Sequence, residues 1–321
     1  MRRIVCLVIV AMTRLASLCS AVAGVMLGGV VLHPVLRPLT PTMVQRSYRL
    51  FQQLGATEED FVVRAPDGIL LRGWKVRPRP ANGNWVLLFH GRSDNRTGVL
   101  GQAELLLRHG YSVVMMDSRA HGESGGAMAT YGWQERLDSR SIADELYGTE
   151  KPRLLFALGS SMGAAIALQA AGIEPRIVGV VAESSFSDLR EVSYDYAGLK
   201  WTQWLGKTLF RPATWTALAE AEKEGGFAAN DVSPEKAVAV RPFGVLLICD
   251  GLDHTIPCRH SQRIFEAATG SKLFWKVPGA GHTQALGVAP LEYKQRVVAF
   301  LESLSESSPF RLTLSAPANT R

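Results

Sequence analysis

Cysteine is scarce in this chain, and its spacing carries no chemistry. Only Cys6, Cys19, Cys249 and Cys258 occur in 321 residues, with no C-x-x-C and no zinc-ligand spacing. Two of them lie in the first apolar segment, so no disulfide framework is expected and the core must supply the stability. Seven histidines occur without H-E-x-x-H or H-x-H, which sets a metal enzyme aside; no metal and no cofactor are expected. No Lys/Arg run interleaves with aromatics, and the net charge of +6 is scattered, with Arg2, Arg3 and Arg14 at one end. Nucleic-acid binding is therefore not expected. Internal repeats and low-complexity tracts are also missing.

What remains is a globular composition, 47% hydrophobic and 20% charged, long enough for one large α/β domain with an appendage. The appendage is the first 32 residues. From Ile4 to Leu32 the chain is nearly all apolar, broken by Arg14 and a few small polar residues. Residues 15–32 approach the length needed to cross a bilayer as a helix. Two readings compete: a retained signal anchor, and a cleaved signal peptide with Ala21-Val22-Ala23 as its A-x-A site. Continuation of the apolar run past Ala23 favours the anchor. Arginines on both sides of the segment leave its orientation open.

Beyond a proline-rich stretch, residues 60–76 read as two strands joined at Asp67-Gly68, a hairpin signal. Apolar runs then recur at 85–89, 111–117, 153–159, 177–183, 243–250 and 272–277, with helix-length intervals between them. Runs apolar at every position indicate strands buried on both faces, as in a mostly parallel, doubly wound α/β sheet. One interval, from Glu183 to Phe243, is too long for a single crossover and holds Tyr194, Tyr196, Trp201, Trp204, Phe210, Trp215 and Phe227. It reads as a helical cap whose aromatics line an apolar pocket.

Polar residues gather where the strands end. "GSSMG" after the run at 153–159 is a G-x-S-x-G turn presenting Ser161 between Gly159 and Gly163. "DGLDHTIP" offers Asp253 and "PGAGHTQAL" offers His282, so nucleophile, acid and base follow in the order Ser, Asp, His. Asp250 and Glu183 are alternative acids. Backbone N–H groups of Arg92, in "FHGRSDN", and of Met162 are candidates for an oxyanion hole. His90 is read as a brace for its loop.

With these residues in order, the chain from about 58 to 302 resembles the α/β-hydrolase superfamily, and within it the BEM46-like and prolyl-oligopeptidase-related bacterial serine esterases. "MDSRAHGESGG", "YGWQERLD" and "AESSFSDL" add to the likeness. The resemblance implies an α/β-hydrolase fold with an antiparallel N-terminal hairpin and a cap over about 189–241. It also implies that Asp117, Arg119 and His121 brace a loop near the oxyanion side. Relatives often read His-Gly where this chain has Cys249-Asp250, which keeps Asp250 in play as the acid. The expected organisation is residues 1–32 as membrane segment, 33–57 as linker, 58–302 as catalytic domain and 303–321 as disordered tail. The implied activity is hydrolysis of carboxylic esters, with thioesters or short acyl lipids as variants, through a Ser161–Asp253–His282 triad. A serine peptidase or amidase is the alternative within the same chemistry, and a non-catalytic hydrolase-fold binding protein the alternative outside it. The expected partners are a small or lipid-like acyl substrate and a membrane reached through the first segment.

Overall fold

The computed structural model describes residues 2–198 and 202–306, apart from the side chains of residues 2–13, 16 and 203. Within them, β1 (Thr57–Arg64), β2 (Leu70–Arg77), β3 (Trp85–Phe89), β4 (Ser112–Met116), β5 (Leu155–Ser160), β6 (Ile177–Glu183), β7 (Gly244–Asp250) and β8 (Lys272–Val277) form one sheet. Its order is β1-β2-β4-β3-β5-β6-β7-β8. β1 and β2 make the expected antiparallel hairpin, β2 pairs antiparallel with β4, and the remaining neighbours are parallel. The order reverses beside β3, whose neighbours are β4 and β5; in such sheets the crevice outside the strand ends at this point takes the ligand.

Continuous apolar runs have their expected cause. In β5, Leu155 and Ala157 pack into the layer holding α4 (Glu135–Thr149) and α5 (Met162–Ile173). Phe156 and Leu158 pack into the opposite layer, with α2 (Pro41–Gln53), α3 (Leu100–Arg108) and α12 (Pro290–Glu306). β8 departs from the pattern: it is an edge strand, and Leu273 stands 53% exposed.

The stretch expected to be a linker contains α2. Thr40 caps its start by accepting from the Met43 N–H, and Pro41 occupies its first turn, where a missing N–H does no harm. Behind the proline punctuation lies a helical i, i+4, i+7 stripe. Val44, Tyr48 and Phe51 pack into the core, with Tyr48 and Phe51 5.5 and 6.2 Å from the Trp74 ring.

Between β6 and β7 the chain makes α6 (Leu189–Ala197), α7 (Gln203–Lys207), α8 (Arg211–Gly225) and α9 (Pro234–Val240). The cap's aromatics do not all face inward. Tyr196 and Phe210 line a cavity and Phe227 is buried in the core, but Trp204 and Trp215 are 65% and 57% exposed. Trp201 lies outside the described residues. The sheet is completed by α10 (Cys258–Ala267) after β7 and by α11 (Ala285–Val288) before α12.

The first segment forms one helix, α1 (Arg2–Leu32), whose last turns lie along α8. Among the described residues, no helix is long and apolar enough to cross a membrane. Much of the expected anchor falls on residues whose side chains lie outside the description.

α5 is almost wholly buried and built from glycine, alanine and a few larger apolar residues, with Gln169 its one polar side chain. Small residues are required here because the helix starts against the end of β3. A Cβ on Gly163 would stand 2.1 Å from the Phe89 carbonyl oxygen, and one on Gly159 would stand 2.3 Å from Gly163 backbone atoms. Alanine ordinarily favours a helix over glycine by about 1 kcal/mol. Gly163→Ala is nevertheless expected to destabilise the protein by about 1–3 kcal/mol through overpacking. Urea unfolding checks this; a raised midpoint would show that helix and sheet have room to spare.

Candidate active site

β5 ends at Ser160 and α5 begins at Met162, so the direction reverses within one residue. Ser161 takes the bend with φ 56° and ψ −122°, a conformation that L side chains rarely adopt and that surrounding contacts must hold. Its N–H donates to the Glu183 carbonyl at 2.9 Å, fastening the corner to β6. Its side chain projects at the mouth of the reversal crevice, and Gly91, from the loop after β3, comes within Cβ contact distance of it.

Asp253 and His282 reach this point from the loops after β7 and β8. The two loops are laced together by Gly251 N–H to the Val277 carbonyl, 2.9 Å, and Leu252 N–H to the Ala280 carbonyl, 2.7 Å. His282 Nδ1 lies 2.6 Å from Asp253 Oδ2, and His282 Nε2 lies 2.9 Å from Ser161 Oγ. The other oxygen of Asp253 accepts from the Thr255 and Ile256 N–H groups at 2.7 and 2.8 Å. Burial pushes this carboxyl up, but the hydrogen bond and charge of His282, with the two backbone donors, outweigh it and hold the group below its ordinary value. An ionised Asp253 accepts from Nδ1–H and leaves Nε2 with its lone pair toward Ser161.

The alternative acids do not touch the imidazole. Asp250 accepts from Ser184 Oγ at 2.6 Å and from the Thr283 N–H at 2.8 Å, and Glu183 accepts from the Ala285 N–H at 3.0 Å. Both fasten the segment that carries His282. Burial, then the nearby Asp250 carboxyl, push Glu183 up to about 7.

On the other side of Ser161, His90 is buried and pairs twice. Its Nε2 accepts from the Ser118 N–H at 3.0 Å, which leaves Nδ1–H to donate to the Gly91 carbonyl at 2.8 Å. Burial and the neighbouring His121 push its pKa down to about 4, so the ring is neutral and acts as a brace. Because the peptide unit is planar and trans, holding the Gly91 carbonyl also fixes the Arg92 N–H in the opposite direction. The Met162 N–H opens α5 and has no intrahelical acceptor. Asp117, in the loop after β4, accepts from the Arg96 N–H and guanidinium at 2.6–3.0 Å and from the Glu123 N–H at 2.8 Å. Arg119 is clamped by Asp138, and His121 Nδ1 lies 2.8 Å from the Arg119 carbonyl. All three serve the loop geometry.

Two features escaped sequence reasoning. Cys249 and Cys258 are joined as a disulfide, contrary to the expectation from cysteine usage. The bond spans nine positions and closes the loop that presents Asp253; its signal was the placement of both cysteines at the ends of one short loop. The second is a buried relay: Ser187 Oγ lies 2.8 Å from His260 Nδ1, and His260 Nε2 lies 2.8 Å from Asp195 Oδ2. All three side chains are essentially without solvent contact. The relay joins α6 to α10 rather than facing an opening.

Ser161 opens into an apolar cavity of about 480 Å³, lined by α1, α6 and α8 together with Phe186 and Ile256. A hollow of about 600 Å³ at the opposite end of the sheet, near Arg79, Asn82 and Arg108, holds no nucleophile paired with a base. Among the described residues, no group of three His, Cys, Asp or Glu side chains is placed to hold a metal ion.

The family described as serine aminopeptidase, S33 (Hydrolase_4) matches residues 81–242. "Uncharacterized protein YqkD" of Bacillus subtilis is 26% identical over 81% of this chain and 84% of its own length. "Uncharacterized protein Rv2307c" of Mycobacterium tuberculosis is 30% identical over 70% of this chain and 72% of its own. Among solved structures, the Pyrococcus furiosus esterase Pf2001 superposes with a TM-score of 0.65, at 24% identity over 86% of this chain and 97% of that one. This last likeness speaks for the fold alone.

Glu183 yields a pH prediction. Its carboxyl lies above the ordinary value of 4.5 in the folded state, so the unfolded chain ionises first and stability falls as pH rises from 4.5 to about 7. A shift of that size corresponds to about 3 kcal/mol. Glu183→Gln is expected to raise the thermal midpoint at pH 8 and change it little at pH 4. A variant less stable than wild type at pH 8 would mean that the ionised carboxylate stabilises the fold.

Proposed function

Since the chain belongs to the Hydrolase_4 family of α/β-fold hydrolases, we propose that it is a serine hydrolase of carboxylic esters, with Ser161 as nucleophile, His282 as general base and acid, and Asp253 as the group that orients the imidazole. The continuous line of contacts from Asp253 through His282 to Ser161 Oγ, at 2.6 and 2.9 Å, carries this reading. His282 Nε2 takes the hydroxyl proton as Ser161 Oγ bonds to the ester carbonyl carbon. The Arg92 and Met162 N–H groups receive the negative charge on the carbonyl oxygen. Collapse breaks the bond to the alcohol, which leaves with the proton from His282. Water then repeats the sequence on the acyl-enzyme and releases the acid.

The cavity favours esters over peptides with a free amino terminus. Among the described residues, Arg92 is the one charged residue in its wall, and no carboxylate lines it to hold an ammonium group. On the Asp117–Gly126 element we group the chain with the BEM46-like and prolyl-oligopeptidase-related esterases.

Ser161→Ala is expected to fold normally and lose at least about 10⁴-fold in kcat on p-nitrophenyl butyrate. Retained turnover, or fluorophosphonate labelling at another serine, would remove Ser161 from the chemistry. With matched acyl groups, kcat/KM should be highest for the ester, then the thioester, and lowest for the anilide; preference for the anilide would establish the amidase alternative instead.

A further inference from the structure

A helix leaves its last four carbonyls without intrahelical partners, and a helix that merely trails from a domain offers them to water. At the end of α1 three of them, on Val30, Val31 and Leu32, are taken by the rest of the domain. The Gly29 carbonyl keeps its i, i+4 bond from the His33 N–H at 3.0 Å, whereas the Leu32 carbonyl accepts from the distant Ala129 N–H at 2.9 Å. The Val30 carbonyl accepts from Arg92 Nη2 at 2.7 Å, and the Val31 carbonyl from the Tyr131 hydroxyl at 2.5 Å. Burial pushes Tyr131 up to about 12, so its hydroxyl keeps the proton it donates. Leu32 is fully buried in the core.

The flank of the helix is seated as closely as its end. A Cβ on Gly24 would fall 1.9 Å from Thr216 Oγ1, and one on Gly28 would fall 2.7 Å from the Glu220 Cβ. Thr216 Oγ1 also donates to the Ala21 carbonyl at 2.9 Å. This is a built interface between α1 and α8, and it turns Leu27, Val30 and Val31 into the cavity beside Ser161. The Arg92 guanidinium, the cavity's charge, is engaged by the Val30 carbonyl. The space left, about 480 Å³, would hold on the order of fifteen waters and is far larger than an acetyl group needs.

We propose that α1 is a wall of the substrate site, and that the ester's acyl chain, of medium length or longer, lies along Leu27, Val30 and Val31 with its carbonyl at Ser161. This rests on the reading of Ser161 as the nucleophile. Hydrocarbon length is then gauged by a segment that reads, in sequence, as a membrane anchor. Each methylene the wall accommodates favours binding by ~4-fold, so kcat/KM climbs from acetate toward octanoate until the cavity is filled.

The test uses the full chain and p-nitrophenyl esters from acetate to dodecanoate, with fluorophosphonate labelling of Ser161 run alongside. Val31→Trp and Leu27→Trp, which fill the cavity, are expected to cut the octanoate-to-acetate ratio of kcat/KM at least tenfold. Val31→Ala, which cannot overfill it, is expected to move the optimum to a longer chain. Met26→Gln, on the outward face of the same helix where Met26 is 80% exposed, is expected to leave the ratio unchanged. If Ser161 is labelled and acetate is hydrolysed, yet none of the three inward variants moves the chain-length profile, the wall is overturned and the serine-hydrolase reading stands. If wild type neither turns over acetate nor is labelled at Ser161, the reading and the inference fall together.

Discussion

The structure depends on one close approach. Gly159 and Gly163 let the start of α5 lie against the end of β3 with no room for a Cβ, and the chain has one residue, between β5 and α5, in which to turn. Ser161 bears the unfavourable backbone angles that result. Everything of chemical interest is measured from that corner. The loop after β3 is near because α5 is near β3; β6 is near because the Ser161 N–H is bonded to it. A less crowded junction would relax the turn and take the hydroxyl out of reach of His282.

Around the corner, polar groups are placed to hold loops rather than to react. His90 and Asp117 set the backbone on one side, and Glu183 and Asp250 pin the segment carrying His282 on the other. Two buried carboxyls here work against stability at neutral pH: burial raises both, with the charge of Asp250 adding to the shift of Glu183 and that of Asp253 to the shift of Asp250. The fold tolerates them because their acceptor oxygens satisfy backbone N–H groups that would otherwise be stranded. Asp253 escapes this fate because an imidazole and two backbone donors face it.

Much of this was legible in the sequence, for reasons that can be named. Strands buried on both faces need apolar residues at every position, so the runs at 85–89 and 177–183 coincide with strand limits. Ser161, Asp253 and His282 could be found because strand-end loops are short, leaving few polar residues to choose from. What stayed hidden depends on contacts distant in the chain. The helix at 41–53 was masked by flanking prolines, and the disulfide needed the proximity of a strand end to a helix start. Inward and outward aromatics of the cap cannot be told apart by composition, which is why Trp204 and Trp215 were placed wrongly. The seating of α1 on α8 is a match of small residues across some 190 positions, and neither partner announces it alone.

The inner relay of Ser187, His260 and Asp195 carries a mechanical consequence. Sealed from solvent, its hydroxyl has no carbonyl to meet, so the three side chains act as a rivet between α6 and α10. One side of the cap is thereby immobilised against the sheet. A bulkier guest beside the reactive corner therefore meets two fastened walls, α6 riveted to α10 on one side and α8 seated on α1 on the other.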